Sequence, residues 1–549
     1  LVRRIVLDIE TDGLNAKTIW VIVAKDIDTN EIFVFKDKQT MAHDFREFMT
    51  KVSRCIMHNG LAFDAPIIKR LLNVTISHNK ITDTLILARL ANSVREGGNS
   101  LANWGTIFNY PKIDYDDWSH LSDEMITYCK RDVDITHKLY EHLKIELNGF
   151  SKTCIDLEFA VASLINIQCY NGFYLNSKKA MELSACLQQN ASTIETELVS
   201  EFDPVEVKLK TKTKYVPFNP NSRKQIGERL KLLGWIPEQK TDKTQRPVIN
   251  EKTLETCPLP VARKFQRLFL LNKRLAQVNS WLESVNPETG RVHGNVKTIG
   301  TITGRMTHNN PNMAQVPASY SPYGKECRDC WTVEDPKRFV LVGADASGLE
   351  LRCLAHYMND EEFTKEVVDG DIHTANQKAA GLPTRDNAKT FIYAFLYGAG
   401  AAKIGAIIEG DQEEGQQLID TFLNNMPKLA QLRERVTNEA GSGRVRALDG
   451  RFLMIRHVHA ALNTLLQGAG AIICKQWLIE ICKLVFEHKL TARPVANIHD
   501  EVQFEVLASQ ANQFSDLTRE AMKKTEDILK TRCPLDSEAK IGLTWSTTH

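Results

Sequence analysis

Residues 339–356 read Phe339-Val-Leu-Val-Gly-Ala-Asp345-Ala346-Ser-Gly-Leu-Glu350-Leu-Arg-Cys-Leu-Ala-His356. The apolar run before Asp345 has the length and β-branched character of a buried strand, and an acid closes it. Far downstream, Asn497-Ile-His499-Asp500-Glu501-Val502 sets His-Asp-Glu at the tip of a hairpin-like alternation running from Pro494 to Val506. If that tip meets the end of the Asp345 strand, Asp345 and Asp500 form a carboxylate pair suited to a hard divalent cation. Taken singly, Asp345 is equally an N-cap and Asp500 a turn acid.

Between the two acids lies Arg385-Asp-Asn-Ala-Lys389-Thr-Phe-Ile-Tyr393-Ala-Phe-Leu-Tyr397. Arg385, Lys389, Tyr393 and Tyr397 recur every fourth residue, one slowly turning face of a helix. At about 1.5 Å per residue the four span roughly 18 Å, two cations followed by two rings. A nucleoside triphosphate has the same order: phosphates for Arg and Lys, then sugar and base for the rings. Without its neighbours this pattern is that of an amphipathic surface helix.

Working outward to the start of the chain, Ile5-Val-Leu-Asp8-Ile reads as a buried strand followed by a Thr-Asp-Gly turn, and Ile19 to Ala24 as a second strand. From Met41 to about residue 150 helical patterns dominate, which makes this part an α/β region. Asp8 and Glu10, two residues apart on a strand, point to one face and repel unless a cation lies between them. Asp64 and Asp132 complete a four-acid set for Mg2+ or Mn2+, and Tyr128, one helical turn before Asp132, is placed to orient a water. Such a set fits two-metal phosphodiester hydrolysis.

The remainder is helical from 151 to 200, basic and Pro-bearing from 202 to 222, helical and rich in Lys and Arg from 223 to 285, and helical again from 372 to 440. A length of 549 residues predicts about three to four domains, and 43% hydrophobic against 25% charged residues excludes a disordered chain or a repeat fibre. The net charge of +1 names no partner, yet residues 201–300 hold 19 basic and 10 acidic side chains. That local excess is the footprint of a polyanion binder. The 12 cysteines form no framework and suit a reducing compartment. Cys327 and Cys330, a lone CxxC, read as ordinary thiols rather than a zinc or redox pair. Acids interrupt what would be the apolar core of a signal peptide, and no run approaches the roughly 18 apolar residues of a membrane span.

Asp8-Ile-Glu10-Thr, Asn59-x4-Asp64 and Tyr128-x3-Asp132 together resemble the 3′–5′ exonucleases of the DEDD superfamily, tyrosine subclass, over residues 1–150. Residues 345–356, Pro383 to Tyr393 and His459-Ala-Ala-Leu-Asn463-Thr-Leu-Leu-Gln467 resemble motifs of family A DNA polymerases, the bacterial DNA polymerase I group. The likeness is strongest to the replicative polymerases of short-tailed phages. It implies an α/β exonuclease domain, RNase H-like with a mixed sheet, followed by an α+β polymerase right hand. The implied boundaries are 1–150 for the exonuclease, 151–295 for the thumb, 296–360 and 460–549 for the palm, and 361–459 for the fingers.

The resemblance further implies template-directed addition of deoxynucleotides to a primer 3′ end, with proofreading. A stand-alone 3′–5′ nuclease, the alternative, leaves Asp345, Asp500 and the Arg385 helix without a task. By position, Asp345, Asp500 and the Ala346 carbonyl would hold two Mg2+ ions, with Glu501 beside them. Asp8, Glu10, Asp64 and Asp132 would hold two more, Mn2+ substituting at either centre. Arg385, Lys389 and His373 would grip the triphosphate, Tyr393 would stack near the sugar and base, Tyr397 would sit by the templating position, and Glu350 would exclude a ribose 2′-hydroxyl. Arg305, Asn463, Gln467 and His499 would contact DNA, the first three in the minor groove, where acceptors differ little between base pairs.

The basic segment, with Lys208, Lys210, Lys212 and Lys214 and the stretch Phe218 to Ile226, corresponds to a thumb that grips phosphates. Those four lysines are equally a solvated loop. The implied partners are primer-template DNA, dNTPs and a replicative helicase-primase. A thioredoxin processivity clamp is not expected, because no long thumb insertion is evident. The expected location is the cytoplasm, that of the host for a phage enzyme, with no membrane association.

Overall fold

A computed structural model describes residues 2–208 and 213–549. Lys210 and Lys212 lie outside the described residues, as does the side chain of Lys208. The chain forms two compact units.

The first unit comprises Leu1–Asn171, Asn295–Asn309 and Val342–Ile541. It begins with a five-stranded sheet, β1 (Arg3–Thr11), β2 (Ile19–Asp26), β3 (Ile32–Phe35), β4 (Val52–Met57) and β5 (Ile81–Asp83), in the order β3-β2-β1-β4-β5. β1 runs antiparallel to β2 and parallel to β4, so the sheet is mixed. Ile5, Val6, Leu7 and Ile9 are buried on its two faces, as expected of a central strand covered on both sides. One apolar cluster gathers around Leu7, Phe45 and Leu139, and another around Val6, Val23 and Val133.

β4 and β5 add two strands to the stretch from Met41 to about residue 150, where the sequence reading found helical patterns dominant. β4 is interrupted by the exposed Ser53 and Arg54, and β5 has only three residues. Neither shows the alternation that marks a half-buried strand; β4 forms by pairing with β1, and β5 by pairing in turn with β4.

The same unit contains a four-stranded sheet ordered Ala492–Ile498, Glu501–Leu507, Phe339–Ala346, Ser537–Gly542. The first two strands form the expected hairpin: Ile498 pairs with Glu501, leaving His499 and Asp500 as a two-residue loop. Helix Ala461–Glu487 is buried on nearly every face, which is why its sequence is apolar all round and not amphipathic.

The second unit comprises Gly172–Gly294, Asn310–Leu341 and Gly542–His549. Two long helices, Ser177–Glu201 and Pro260–Ser284, form its frame. Trp281, Trp331 and Trp545 are fully buried in it, with Trp331 ringed by Phe173 and Trp281. The basic 202–222 stretch carries a hairpin, Val205–Lys208 with Thr213–Val216. The helical reading of 223–285 is interrupted between Leu232 and Glu251, where Gly234, Pro237 and Pro247 punctuate the pattern.

Candidate active site

Three elements carry the N-terminal carboxylates. β1 carries Asp8 and Glu10, in register with Val23 and Val21 of β2. Asp64 is the first residue of helix Asp64–Leu72. Tyr128 and Asp132 lie one turn apart on helix Asp123–Glu146, which Ser122 caps by accepting from the Met125 amide. The turn before Asp64 is fixed by buried Asp83, whose carboxylate accepts from the amides of Asn59 and Leu61 at 3.0 and 3.1 Å. Gly60 admits no side chain there, since a Cβ would lie 2.3 Å from that of Met57.

All four acids are held in an environment that opposes ionisation. Burial pushes the Asp8 carboxyl well above its ordinary range, and Glu10, Asp64 and Asp132 add to the effect. Burial, then the charge of Asp132, brings Glu10 up to about 8. Asp64 is pushed up to about 7, chiefly by burial, and Asp132 rises for the same reason, with Lys112 opposing. One oxygen of Asp64 and one of Asp132, both Oδ1, are buried without a hydrogen-bond partner. Clustered, desolvated carboxylate oxygens lacking donors are what a hard divalent cation requires, so the residues fit a metal centre.

Sequence reasoning missed two members of this centre. The Lys112 ammonium lies 2.5 Å from Asp132 Oδ2 and 4.7 Å from the centroid of the Tyr128 ring. Cys129 places its sulfur 3.7 Å from Asp8 Oδ2, and ligand atoms of Asp8, Glu10 and Cys129 fall within 4.8 Å of one another. Cys129 was findable, since it sits inside the Tyr-x3-Asp spacing. Lys112 lies in an irregular segment with no periodicity to signal it.

The second constellation forms where the Asp345 strand meets the hairpin tip. The Ala346 amide donates to the Asp500 carbonyl at 3.0 Å, and His499 in the same loop takes a positive φ of 59°. A non-glycine residue held in that region marks a tip shaped by its surroundings. Burial, then the charges of Asp500, Cys353 and Asp345, pushes the Cys474 thiol well up. Glu501, also buried, accepts from Gln503 at 2.6 Å.

Around this pair, Glu350 accepts from the Tyr397 hydroxyl at 2.6 Å and lies 3.8 Å from the Arg305 guanidinium. Helix Arg385–Leu396 carries Arg385, Lys389 and Tyr393, and Tyr397 caps its end. Arg385 makes a forked pair with Asp371 at 2.7 and 3.1 Å, a partner the sequence did not suggest. His373 is made less basic by burial and then by Arg385 and Lys389; its ring centre stands 6.2 Å from that of Tyr393. On helix Ala461–Glu487, Gln467 donates to Asn463 at 2.9 Å. His499 is likewise made less basic by burial and by Arg305.

The thiols of Cys327 and Cys330 are buried and each pushed up to about 12, chiefly by burial, as expected of ordinary packed cysteines. Among the described residues no helix is long and apolar enough to cross a membrane.

Residues 188–547 match the protein family described as DNA polymerase family A. The chain belongs to DNA polymerase family A. Residues 5–144 of this polymerase match the RNase H superfamily. The DNA-directed DNA polymerase of Enterobacteria phage T3 is 32% identical, with 90% of this chain and 92% of that protein covered. The thermostable DNA polymerase I of Thermus aquaticus is 29% identical over 60% of this chain and 42% of its own length. Among solved structures, the POL domain of Pol1 from M. smegmatis, in complex with DNA primer-template and dNTP, shares the fold at a TM-score of 0.83 and 18% identity, covering 100% of this chain and 96% of that one. Family A polymerase and RNase H-like domains as classes use divalent metals, in keeping with the donor sets found in this polymerase.

Proposed function

We propose that the chain extends a primer 3′ end on a DNA template with deoxynucleotides and removes 3′-terminal nucleotides at a second, separate centre. The observation that carries this reading is the presence of two carboxylate constellations: Asp345 with Asp500, their segments joined by the Ala346–Asp500 backbone hydrogen bond, and Asp8 with Glu10, Asp64 and Asp132.

At the polymerising centre Asp345, Asp500 and the Ala346 carbonyl hold two Mg2+, which Mn2+ replaces. Such ions, when bound, lower the pKa of the attacking 3′-hydroxyl and neutralise the triphosphate and leaving pyrophosphate. Arg385 exchanges its exposed pairing with Asp371 for the triphosphate, a small cost at a solvated ion pair. Lys389 and a neutral His373 add donors, and Tyr393 lies against the sugar and base. Glu350, held by Tyr397 and Arg305, fills the space a 2′-hydroxyl would need. Asn463, Gln467, Arg305 and His499 lie along the primer-template, with Glu501 buttressing the metal-binding loop. At the nuclease centre Asp8, Glu10, Asp64 and Asp132 hold two ions, and Tyr128 orients the attacking water. The proposed boundaries are exonuclease 1–150, thumb 151–295, palm 296–360 and 460–549, and fingers 361–459. The setting is the cytoplasm, for a phage enzyme its host's, alongside a helicase-primase.

A 5′-labelled primer-template with dNTPs and Mg2+ tests this. Asp345→Asn should lower extension by about 10³-fold or more while shortening of the primer persists, and Asp8→Ala should do the reverse. Shortening without extension by the unaltered chain, unaffected by Asp345→Asn, overturns the polymerase reading.

A further inference from the structure

Residues 110–122 form a strap without helix or strand that lies against helix Asp123–Glu146. Arg131 stacks over the Tyr110 ring at 3.8 Å and donates to the Pro111 carbonyl at 2.9 Å. Tyr115 and Trp118 each place a ring 5.6 Å from that of Tyr128, and the Trp20 indole donates to the Trp118 carbonyl at 3.1 Å. This anchoring fixes where Lys112 enters the nuclease centre: its ammonium meets Asp132 at 2.5 Å and the face of Tyr128 at 4.7 Å.

We propose that Lys112 is the resident cation of the nuclease centre, a positioning residue that holds Asp132 and Tyr128 in the metal-free chain and competes with the second divalent ion for Asp132. The proposal rests on the reading of the four carboxylates as that centre. Asp132 Oδ2 is taken by Lys112 while Oδ1 is buried and unpartnered, so the carboxylate is only half satisfied and open to exchange. The Lys112 side chain keeps 25% of its exposure against 7% for Asp132, so the ammonium can shift off Asp132 at the mouth of the centre while the carboxylate stays, its charge remaining beside the set.

Charge count gives the function. In the loaded centre, where bound cations hold all four carboxylates ionised, those acids and one ammonium sum to three negative charges. Two divalent ions convert that to a single positive charge, which matches the single negative charge of a phosphodiester. Without Lys112 the loaded centre is neutral and loses that attraction, while the unloaded centre, more negative by one, binds divalent ions more tightly. The groups facing Lys112 are Asp132 and Tyr128 at contact, with Asp8 and Glu10 at longer range. All are acidic, and Lys112 is the cation in contact with the set; Arg131 acts on Asp132 from farther off, its guanidinium being held by Tyr110 and Pro111.

The test is Mn2+ binding followed by electron paramagnetic resonance on the full chain carrying Asp345→Asn and Asp500→Asn, so that the ions counted are those of the nuclease centre. Lys112→Met should tighten Mn2+ binding about tenfold, and Lys112→Arg should stay within about twofold of the parent. In the otherwise unaltered chain, Lys112→Met should lower single-strand shortening about 10- to 100-fold with a raised KM, while primer extension is kept and reports folding. Unchanged or weaker Mn2+ binding in Lys112→Met, or undiminished shortening, overturns the proposal. Asp8→Ala in the same background separates the two readings: if it leaves Mn2+ binding intact, the nuclease reading itself fails.

Discussion

The first unit buries two ionic clusters of opposite design. In one, Glu158 accepts from Arg451 at 2.5 Å and from Lys475 at 2.7 Å, and Asp449 accepts from the same Arg451 at 2.7 Å. These side chains are at most 2% exposed, and two negative charges meet two positive ones. In the other, the four acids Asp8, Glu10, Asp64 and Asp132 share one contacting cation among the described residues, Lys112 on Asp132, and two carboxylate oxygens have no hydrogen-bond partner. Burial is common to both, so burial of charge does not by itself mark chemistry. Imbalance does: a satisfied cluster ties the helix Lys152–Asn171 to the 449–451 turn and helix Ala461–Glu487, whereas in an unsatisfied one the repulsion between ionised acids is relieved by protonation or by an added cation.

The largest effect should come from unbalancing the balanced cluster. Glu158→Ala leaves Arg451 and Lys475 without their shared carboxylate in a dry site. It should cost about 3–5 kcal/mol of stability, read as a lower urea midpoint at unchanged slope. A cost below about 1 kcal/mol would mean that water reaches the site and the contrast is false.

A smaller effect of opposite sign is expected at the proposed nuclease centre. Glu10 stands at about 8 in the folded chain, above its ordinary 4.5. Its contribution to stability is therefore present below about pH 4.5 and lost as pH rises through about 8, because the folded state holds the proton more tightly than the unfolded. In EDTA at pH 8.5, Glu10→Gln should be more stable than the parent by about 1–2 kcal/mol, less than the roughly 5 kcal/mol of an isolated group with this shift because the coupled acids share protons, and near pH 4.5 the two should coincide. Saturating Ca2+ or Mg2+ should reverse the order at pH 8.5, since the ionised form is then the one stabilised. Melting temperatures at the two pH values with and without metal provide the check; a gap independent of pH would place the effect in packing.

The same contrast explains what was legible in the sequence. Asp8 with Glu10 follows the two-residue period of a strand and Tyr128 with Asp132 the helical turn, so short spacing brought out both pairs. The His499-Asp500 tip was visible because its flanks alternate and only two residues separate them. Lys112 approaches from an irregular strap, and Glu158, Arg451 and Lys475 come from three distant segments. No local period links such residues; only the fold does. The same holds for β4 and β5, which became strands by pairing with a neighbour, and for Asp371, an N-cap whose second role is to hold Arg385.

The finest test of the balanced cluster removes one charge of each sign. Glu158→Leu with Lys475→Met takes away a carboxylate and its ammonium together and leaves the forked Asp449–Arg451 pair, whose guanidinium bonds at 2.9 and 2.7 Å are independent of Glu158. What remains is again neutral and its main hydrogen bonds are kept, so the double variant should lie within about 1 kcal/mol of the parent. Set against the loss expected for Glu158→Ala, that is a coupling of at least about 2 kcal/mol between neighbours. The measurement is urea unfolding of each single variant and the double under one buffer. If the double costs as much as the single, the loss arises from the volume and shape of Glu158. If it recovers, neutrality is what the interior requires, and the four acids of the nuclease centre are the exception that their added cations must explain.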